Sequence, residues 1–348
     1  NGLPLIGYDG KHECTGFVPF EAMPHAFNPP CGYVYTCNNR LVGDDYPYDL
    51  GHLWMNGYRA KRLHQLLTEQ KQYTLADFER WQNDVYSTAA PAWIQLFADL
   101  LPALPANASP QVRAACQLVA EWDAQVSAES AAASIYHVVL QQLIDQVVAQ
   151  RSRKAVASAL RGKGQVSDLF KYMEFWSHDA DALLRIITNP ASAWWKAGDS
   201  TQKFLLDALS AATEELQKRL GGSPKDWAWG KIHQITFAHA LGVQAPFDEW
   251  FNVTGIATGG DKDTLNQQSF MPDEQYGGTI CAASYRQIID MGNLANSRCI
   301  APLGQSGNLQ SPHFADQLPL WQKGAYKPML WTREQVAEHS AYKMQLIK

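Results

Sequence analysis

Between residues 59 and 220 apolar positions recur every three to four residues, the pattern of helices that bury one face. Thr74 and Asp77 predict a helix start, with Leu75, Phe78, Trp81 and Val85 as its apolar face. Val112, Ala115, Val119 and Trp122 repeat the same period. Ile135, Val139, Leu143 and Val147 form another stripe, and Tyr136, Leu140 and Ile144 widen it until it predicts deep burial. Phe204, Ala208, Ala212 and Leu216 define a further helix, closed by Gly221 and Gly222.

The flanks differ. Residues 1–58 are rich in Gly, Pro and aromatics (GYDG, FVPFEAMP, FNPPCGYVY), the texture of loops with short strands. After Pro224 the period shortens to two. In TICAASYRQIIDM the alternation sets Cys281, Ala283, Tyr285, Ile289 and Met291 on one face, and NSRCIAPL reads as the partner strand. Gly304, Gly307 and Pro312 punctuate a turn-rich stretch, and a last helix is expected from Thr332. Three zones result: a loop and strand segment over 1–58, a helical section over 59–220, and strands over 221–348. Helices followed by strands, without strict alternation, indicate an α+β fold.

Composition narrows the function without naming it. The 348 residues are 46% hydrophobic and 18% charged, ordinary for a globular chain, and the formal net charge of -5 gives no reason to expect nucleic acid or an anionic membrane as partner. No run approaches the ~20 apolar residues of a membrane span. Asn1 to Asp9 has neither the basic region nor the apolar run of a signal peptide, so an export signal, if used, lies elsewhere. The six cysteines, Cys14, Cys31, Cys37, Cys116, Cys281 and Cys299, include no C-x-x-C pair. A hairpin could bring Cys281 and Cys299 together.

Several residue groups invite chemistry and have plainer readings. Ser306, His313 and Asp316 are the members of a serine-hydrolase triad, but GQSGN departs from G-x-S-x-G at its last position, and Ser306 reads as a turn residue. His233 and His239 lack the H-E-x-x-H pattern of a metal helix and read as core or hydrogen-bonded histidines. Asp44 and Asp45 read as solvated charges, and His178, Asp179 and Asp181 as a helix start. Trp194 and Trp195 read as packing between helices.

Three stretches together carry a resemblance. The first is FNPPCGYVYTCNNRLVGDDYPYDLGHLWMNGYRAKRLHQLL, with Asn28, Pro29, Gly32, Tyr33, Asn38, Asn39, Tyr46, Pro47, Arg59, Arg62 and Leu66 in order. The second is LVAEWDAQVSAESAAASIY. The third runs through DWAWGKIHQITFAHALG, FNVTGIATGGDKDTLN, SYRQIIDM, GQSGNLQSPHFADQ and LWQKGAY. Each motif alone is common, but their joint order over residues 3–335 resembles the penicillin acylase (penicillin amidase) family of N-terminal nucleophile hydrolases, in the C-terminal part of the β chain.

That resemblance implies part of an αββα sandwich and an amide hydrolase matured by self-cleavage, a heterodimer held in the periplasm or secreted. Its serine nucleophile would use its own α-amino group as base. It implies Asn38 as the side-chain donor to the oxyanion and Arg59 as the residue holding that asparagine in register, with Arg62 a surface residue of the helix end. Asp49 matches a calcium-ligand aspartate of some members. No cofactor is required for the chemistry, and a structural calcium ion is the one metal the resemblance implies. The implied partners are the other chains of the same precursor (the α chain and the N-terminal part of the β chain) and a small-molecule amide, with no nucleic acid and no membrane. Asn1 is not Ser, Thr or Cys, so the nucleophile is expected on another chain. The substrate class implied is a penicillin, a cephalosporin or an N-acyl homoserine lactone. The alternative is a non-catalytic binding or structural remnant of the acylase fold.

Overall fold

The structure, a computed structural model, describes residues 6–13, 16–51, 53–149, 151, 163–167, 170–172, 177–270, 276–278 and 281–347. Asn1 and Cys14 lie outside the described residues. Among the described residues seven helices dominate the first two thirds: α1 (Tyr58–Thr68), α2 (Leu75–Gln82), α3 (Ala90–Ala103), α4 (Pro110–Ala120), α5 (Ala131–Leu143), α6 (Asp179–Thr188) and α7 (Thr201–Leu220). Polar side chains start four of them. The hydroxyls of Ser109, Ser130 and Ser200 accept the amides of Val112, Ala133 and Lys203, and Thr74 with Asp77 closes a reciprocal capping box. Each such cap is worth ~1 kcal/mol.

Helix α5 runs through the centre, packed on α4 and α7. Its stripe was expected to continue as one helix through Val147. Instead the turn widens to a π-helix over Ile144–Ala149, which keeps Ile144, Val147 and Val148 buried. Trp93, Phe97 and Leu100 of α3, Cys116 and Val119 of α4, and Phe204, Ala208, Ala212 and Leu216 of α7 close around it. Fully burying one such Leu, Val or Phe contributes about 1.5–3 kcal/mol. Gly221 ends α7 at φ 94, the left-handed region that glycine enters without steric cost.

The strands form small antiparallel sheets. β1 (Lys163–Ser167) and β2 (Phe170–Tyr172) make a hairpin inside the zone read as helical. β3 (Gln234–Phe237) pairs with β4 (Val253–Ala257), and β5 (Gln268–Ser269) with β6 (Cys281–Ala282). β7 (Arg286–Ile288), β8 (Arg298–Ile300) and β9 (Lys327–Pro328) make a three-stranded sheet with Arg286 opposite Ile300. The final helix expected from Thr332 forms as Arg333–His339 behind a Thr332–Gln335 capping box. Helices mixed with a few antiparallel strands, mostly in separate stretches of the chain, make an α+β fold. Among the described residues no helix is long and apolar enough to cross a membrane.

Three expectations need correction. The run from Cys281 to Met291 is two short strands in different sheets, and its buried residues are Arg286 and Ile288, not the odd-numbered set. Arg286 can face inward because its guanidinium meets the side-chain oxygens of Asn83 and Asn266 at 3.1 and 2.7 Å and lies over the Trp321 ring. Tyr285 and Met291 are left exposed. Cys281 and Cys299 are both free: Cys281 stands opposite Ser269 in one sheet and Cys299 opposite Gln287 in another. Arg62 is not a surface residue. It lies 18% exposed, donates to both carboxylate oxygens of Asp84 and covers the Tyr86 ring.

Candidate functional site

The segment before α1 is almost wholly exposed and reaches the core at a few points. At Asn38 the backbone turns into the left-handed region, φ 62, which asparagine tolerates better than other side-chain-bearing residues. The turn directs the Asn38 carbonyl to the amide of Met55 at 3.0 Å, and Asn39 makes a parallel bridge with Met55. Helix α1 begins three residues further on. Its first residue, Tyr58, has its carbonyl fixed by the Thr88 hydroxyl at 2.9 Å. Its second, Arg59, is 8% exposed and sends Nη2 to the Cys37 carbonyl at 2.8 Å and to the Asn38 side-chain oxygen at 3.1 Å.

This contact distinguishes the two asparagines. The Asn39 amide is spent locally, accepting the Cys37 N–H at 3.2 Å and donating to the Arg40 carbonyl at 3.1 Å. Asn38 has its oxygen occupied by Arg59, and no described residue accepts from its Nδ2. An exposed, oriented, uncharged N–H donor is what a developing oxyanion needs. Beside it Cys37 is buried, and that burial pushes its thiol up, with Arg59 opposing.

The sides of α1 border two different hollows. An apolar groove of about 280 Å³ is lined by Val34, Tyr35, Leu63, Leu67, Phe78 and Trp81. A more polar one of about 720 Å³ is lined by Arg40, Trp54, Tyr58, Lys61, His178 and Arg185. At 3.6 residues per turn Leu67 lies about 180° round α1 from Tyr58, so the two line opposite hollows while Leu66 enters the core.

Asp49 stands apart from this pair, exposed, its Oδ1 accepting the Gly51 amide at 2.8 Å. That hydrogen bond holds its carboxyl below the usual carboxylate range. Calcium takes about six to eight oxygen ligands. Among the described residues no group of three His, Cys, Asp or Glu side chains converges to hold a metal, at Asp49 or elsewhere.

The other groups singled out in the sequence have ordinary partners. The Ser306 hydroxyl accepts the Asn308 amide within its own turn, while His313 pairs with Asp316 at 2.8 Å. No hydrogen bond joins the Ser306 hydroxyl to the His313 ring among the described residues, so the triad is not assembled. His233 is buried, stacked on Trp229 and bonded through Nδ1 to the Tyr276 carbonyl. His239 stacks on Phe251 and meets the Gly307 carbonyl. Arg40 pairs with Asp44 at the surface, and Trp195 packs edge-on against Phe204.

Residues that sequence reasoning left without a role also converge on the site. Asn56 is buried beside Met55 and donates to Asp263 Oδ1 at 2.6 Å, while its own oxygen accepts the Tyr58 amide at 3.1 Å. The available signal was the GGDKDT run, three charges behind two glycines. Such a run usually marks a solvated loop, but here it is buried.

The chain is similar in fold and in sequence to known proteins. Its fold is similar to that of a thermostable penicillin G acylase from Alcaligenes faecalis, with a TM-score of 0.57 over 98% of this chain and 61% of that one at 19% identity. The model of the penicillin amidase family matches residues 1–338, and the chain belongs to that family. It is 31% identical to the penicillin acylase 2 proenzyme of Pseudomonas sp. strain SE83, over 99% of this chain and 42% of that protein. It is 29% identical to the acyl-homoserine lactone acylase QuiP of Pseudomonas syringae pv. tomato, over 93% and 40%. The chain thus spans about two fifths of the length of these curated relatives.

Proposed function

We propose that this chain is part of an N-terminal serine amidohydrolase that cleaves a linear amide through an acyl-enzyme. The nucleophilic serine belongs to a segment of the same precursor outside these 348 residues, a reading supported by relatives more than twice as long. The serine Oγ attacks the amide carbon while its own α-amino group takes the proton. The carbonyl oxygen gains the negative charge, and the Asn38 N–H donates to it. Collapse of the intermediate expels the amine with that proton, and water then releases the acid from the ester. Arg59 keeps the Asn38 oxygen turned inward so that its NH2 faces the reaction; both bonds leave one nitrogen of a rigid planar guanidinium, whose directions a flexible lysine ammonium does not fix.

The observation that carries this reading is the Arg59 contact to both the Asn38 oxygen and the Cys37 carbonyl. Phe17, Phe20 and Phe27, each more than four fifths exposed, favour cover by other chains of the precursor. The substrate class is the acylated amine of a penicillin, a cephalosporin or an N-acyl homoserine lactone; the names of the two relatives suggest the first and the last.

Two measurements test it. In the complete acylase, Asn38→Ala should lower kcat by roughly 10²–10³-fold with KM little changed, the usual cost of one oxyanion donor. Unchanged turnover would remove Asn38 from the mechanism. Denaturing mass spectrometry of the active native material should find a co-purifying chain that begins with serine. A single active species of this chain's own mass would overturn the assembly.

A further inference from the structure

The loop over residues 259–268 is a buried charged knot. Two glycines let it press against its neighbours. A Cβ on Gly259 would meet the Val126 carbonyl at 2.8 Å, and one on Gly260, at φ +84, would meet the Asn266 carbonyl at 2.2 Å. The loop is fastened by Gly260 N–H to the Val126 carbonyl at 2.6 Å and by the Trp229 indole to the Gly260 carbonyl at 3.1 Å. Behind the glycines Asp261, Lys262 and Asp263 are all buried.

Their partners come from three helices and the segment before α1. Lys262 Nζ lies 2.8 Å from Asp179 of α6 and 3.3 Å from Asp263 Oδ2. Asp261 lies 3.2 Å from His137 of α5 and also accepts the Asp263 amide at 2.7 Å. Tyr58 and Tyr136 face the same carboxylates. Asp263 Oδ1 accepts Asn56 Nδ2, which also donates to the Ser177 carbonyl, and His178 beside it bonds the Trp54 carbonyl at 2.9 Å.

Three carboxyl groups share one lysine and one histidine, and burial, with the nearby Asp261 and Asp179 carboxylates adding to it, pushes Asp263 up to about 7. Burying such a group costs several kcal/mol per ion, and a well-packed apolar set would often be as stable. Packing alone therefore does not explain the knot. Its outlet does. The one bond from the Asp263 carboxylate to the segment before α1 lands on Asn56. The next residue towards the N-terminus, Met55, holds the Asn38 carbonyl, and Arg59, three residues later, holds the Asn38 side chain.

We propose that Asp263, balanced by Lys262, is a positioning residue for the Asn38–Arg59 pair and acts through Asn56. The inference rests on the reading of Asn38 as oxyanion donor. Asn56 fixes the 54–58 turn from both sides, so Met55 and Arg59 reach Asn38 in register. Misplacing a reacting group by about 1 Å can cost ~10²-fold in rate.

The test is a partner exchange in the complete acylase, read as kcat and KM. Asn56→Asp sets two carboxyls face to face and should lower kcat by about 10–100-fold with little change in KM, on the same positional argument. Adding Asp263→Asn restores a donor opposite an acceptor and should return most of that loss. Losses that simply accumulate in the double variant, or an undisturbed kcat in Asn56→Asp, would overturn the proposal. If Asn56→Asp does not fold, Asp263→Asn alone decides. It is isosteric, and a lower kcat at constant KM supports the positioning role whereas an unchanged kcat refutes it. Asn38→Ala measured alongside separates the two readings. If Asn38→Ala leaves kcat intact, the oxyanion reading fails; if it abolishes turnover while Asp263→Asn does nothing, only the positioning role fails.

Discussion

In α5 every side chain but that of Gln142 is buried, whereas among the described residues before Arg59 only Cys37 and Asn56 are. The helical layer is held by area: Trp93, Phe97, Leu143 and Leu209 each lose nearly all contact with water. The segment over 16–58 has no core of its own. Its order comes from a few directed polar contacts, one inside it from Met55 to Asn38 and others made to it by Arg59, Ser177 and Asp263. Apolar burial is tolerant of direction and sums over many atoms, while a hydrogen bond fixes one atom to within a few tenths of an ångström. A residue that must aim an N–H at a reacting atom is better placed on the second kind of support.

The contrast can be broken most severely in the helical layer. Trp93→Ala should cost about 3–5 kcal/mol in a denaturation experiment, the usual result of emptying a large buried site. A loss near zero would mean that α3 is not part of the core in solution. Acid should act on the same layer. Burial pushes His233 down to about 4, so the folded chain stays neutral there while the unfolded chain takes up a proton at ordinary histidine pH. Stability is then full above the unfolded value and is lost as pH falls towards 4, by about 3 kcal/mol for a shift of this size. His233→Phe, which does not titrate, should flatten that slope in thermal melts between pH 7 and 4.5; an equal slope in both proteins would contradict it.

In the polar segment the effects are smaller on stability and appear in rate. Arg59→Lys keeps the charge but replaces a rigid planar donor with a shorter, flexible ammonium that holds the two acceptors less firmly, a loss of about 1–1.5 kcal/mol or roughly tenfold in kcat. Steady-state kinetics beside an unchanged circular dichroism spectrum would check it, and full activity would show that the second contact is idle. Smallest of all, Phe17→Ala should shift the stability of this chain by less than about 0.5 kcal/mol, because Phe17 is fully exposed. A larger loss in the complete acylase than in this chain would locate its cover on another chain.

The helices were legible wherever periodicity and a cap agreed. Phe204, Ala208, Ala212 and Leu216 with Gly221, and Thr74 with Asp77, stand where spacing alone put them. The family resemblance pointed to Asn38 as donor and to Arg59, on a loop and a helix start, but it could not say what holds the Asn38 side chain in place. That depends on φ at Asn38 and on a contact across 21 residues. Strand faces were the weakest reading, because alternation treats Arg286 as outward and ignores the asparagines and the Trp321 ring that accept it. His137 sat unseen inside an apolar stripe, since periodicity assigns a position to the core without saying that a carboxylate waits there.

What the sequence by itself determined was local: which stretches wind into helices, where caps begin and end them, and the family to which the ordered motifs belong. The helices and caps follow from propensity and spacing, which act within a few residues, and the family from the resemblance that the motifs carry in their order. The tertiary structure alone decided the rest. It joined Asn56 to Asp263 across 207 residues, buried a charged loop that composition marks for solvent, and left Cys281 and Cys299 apart. Such outcomes depend on which surfaces meet after the chain has folded, and on charges whose cost or benefit is set by neighbours distant in sequence.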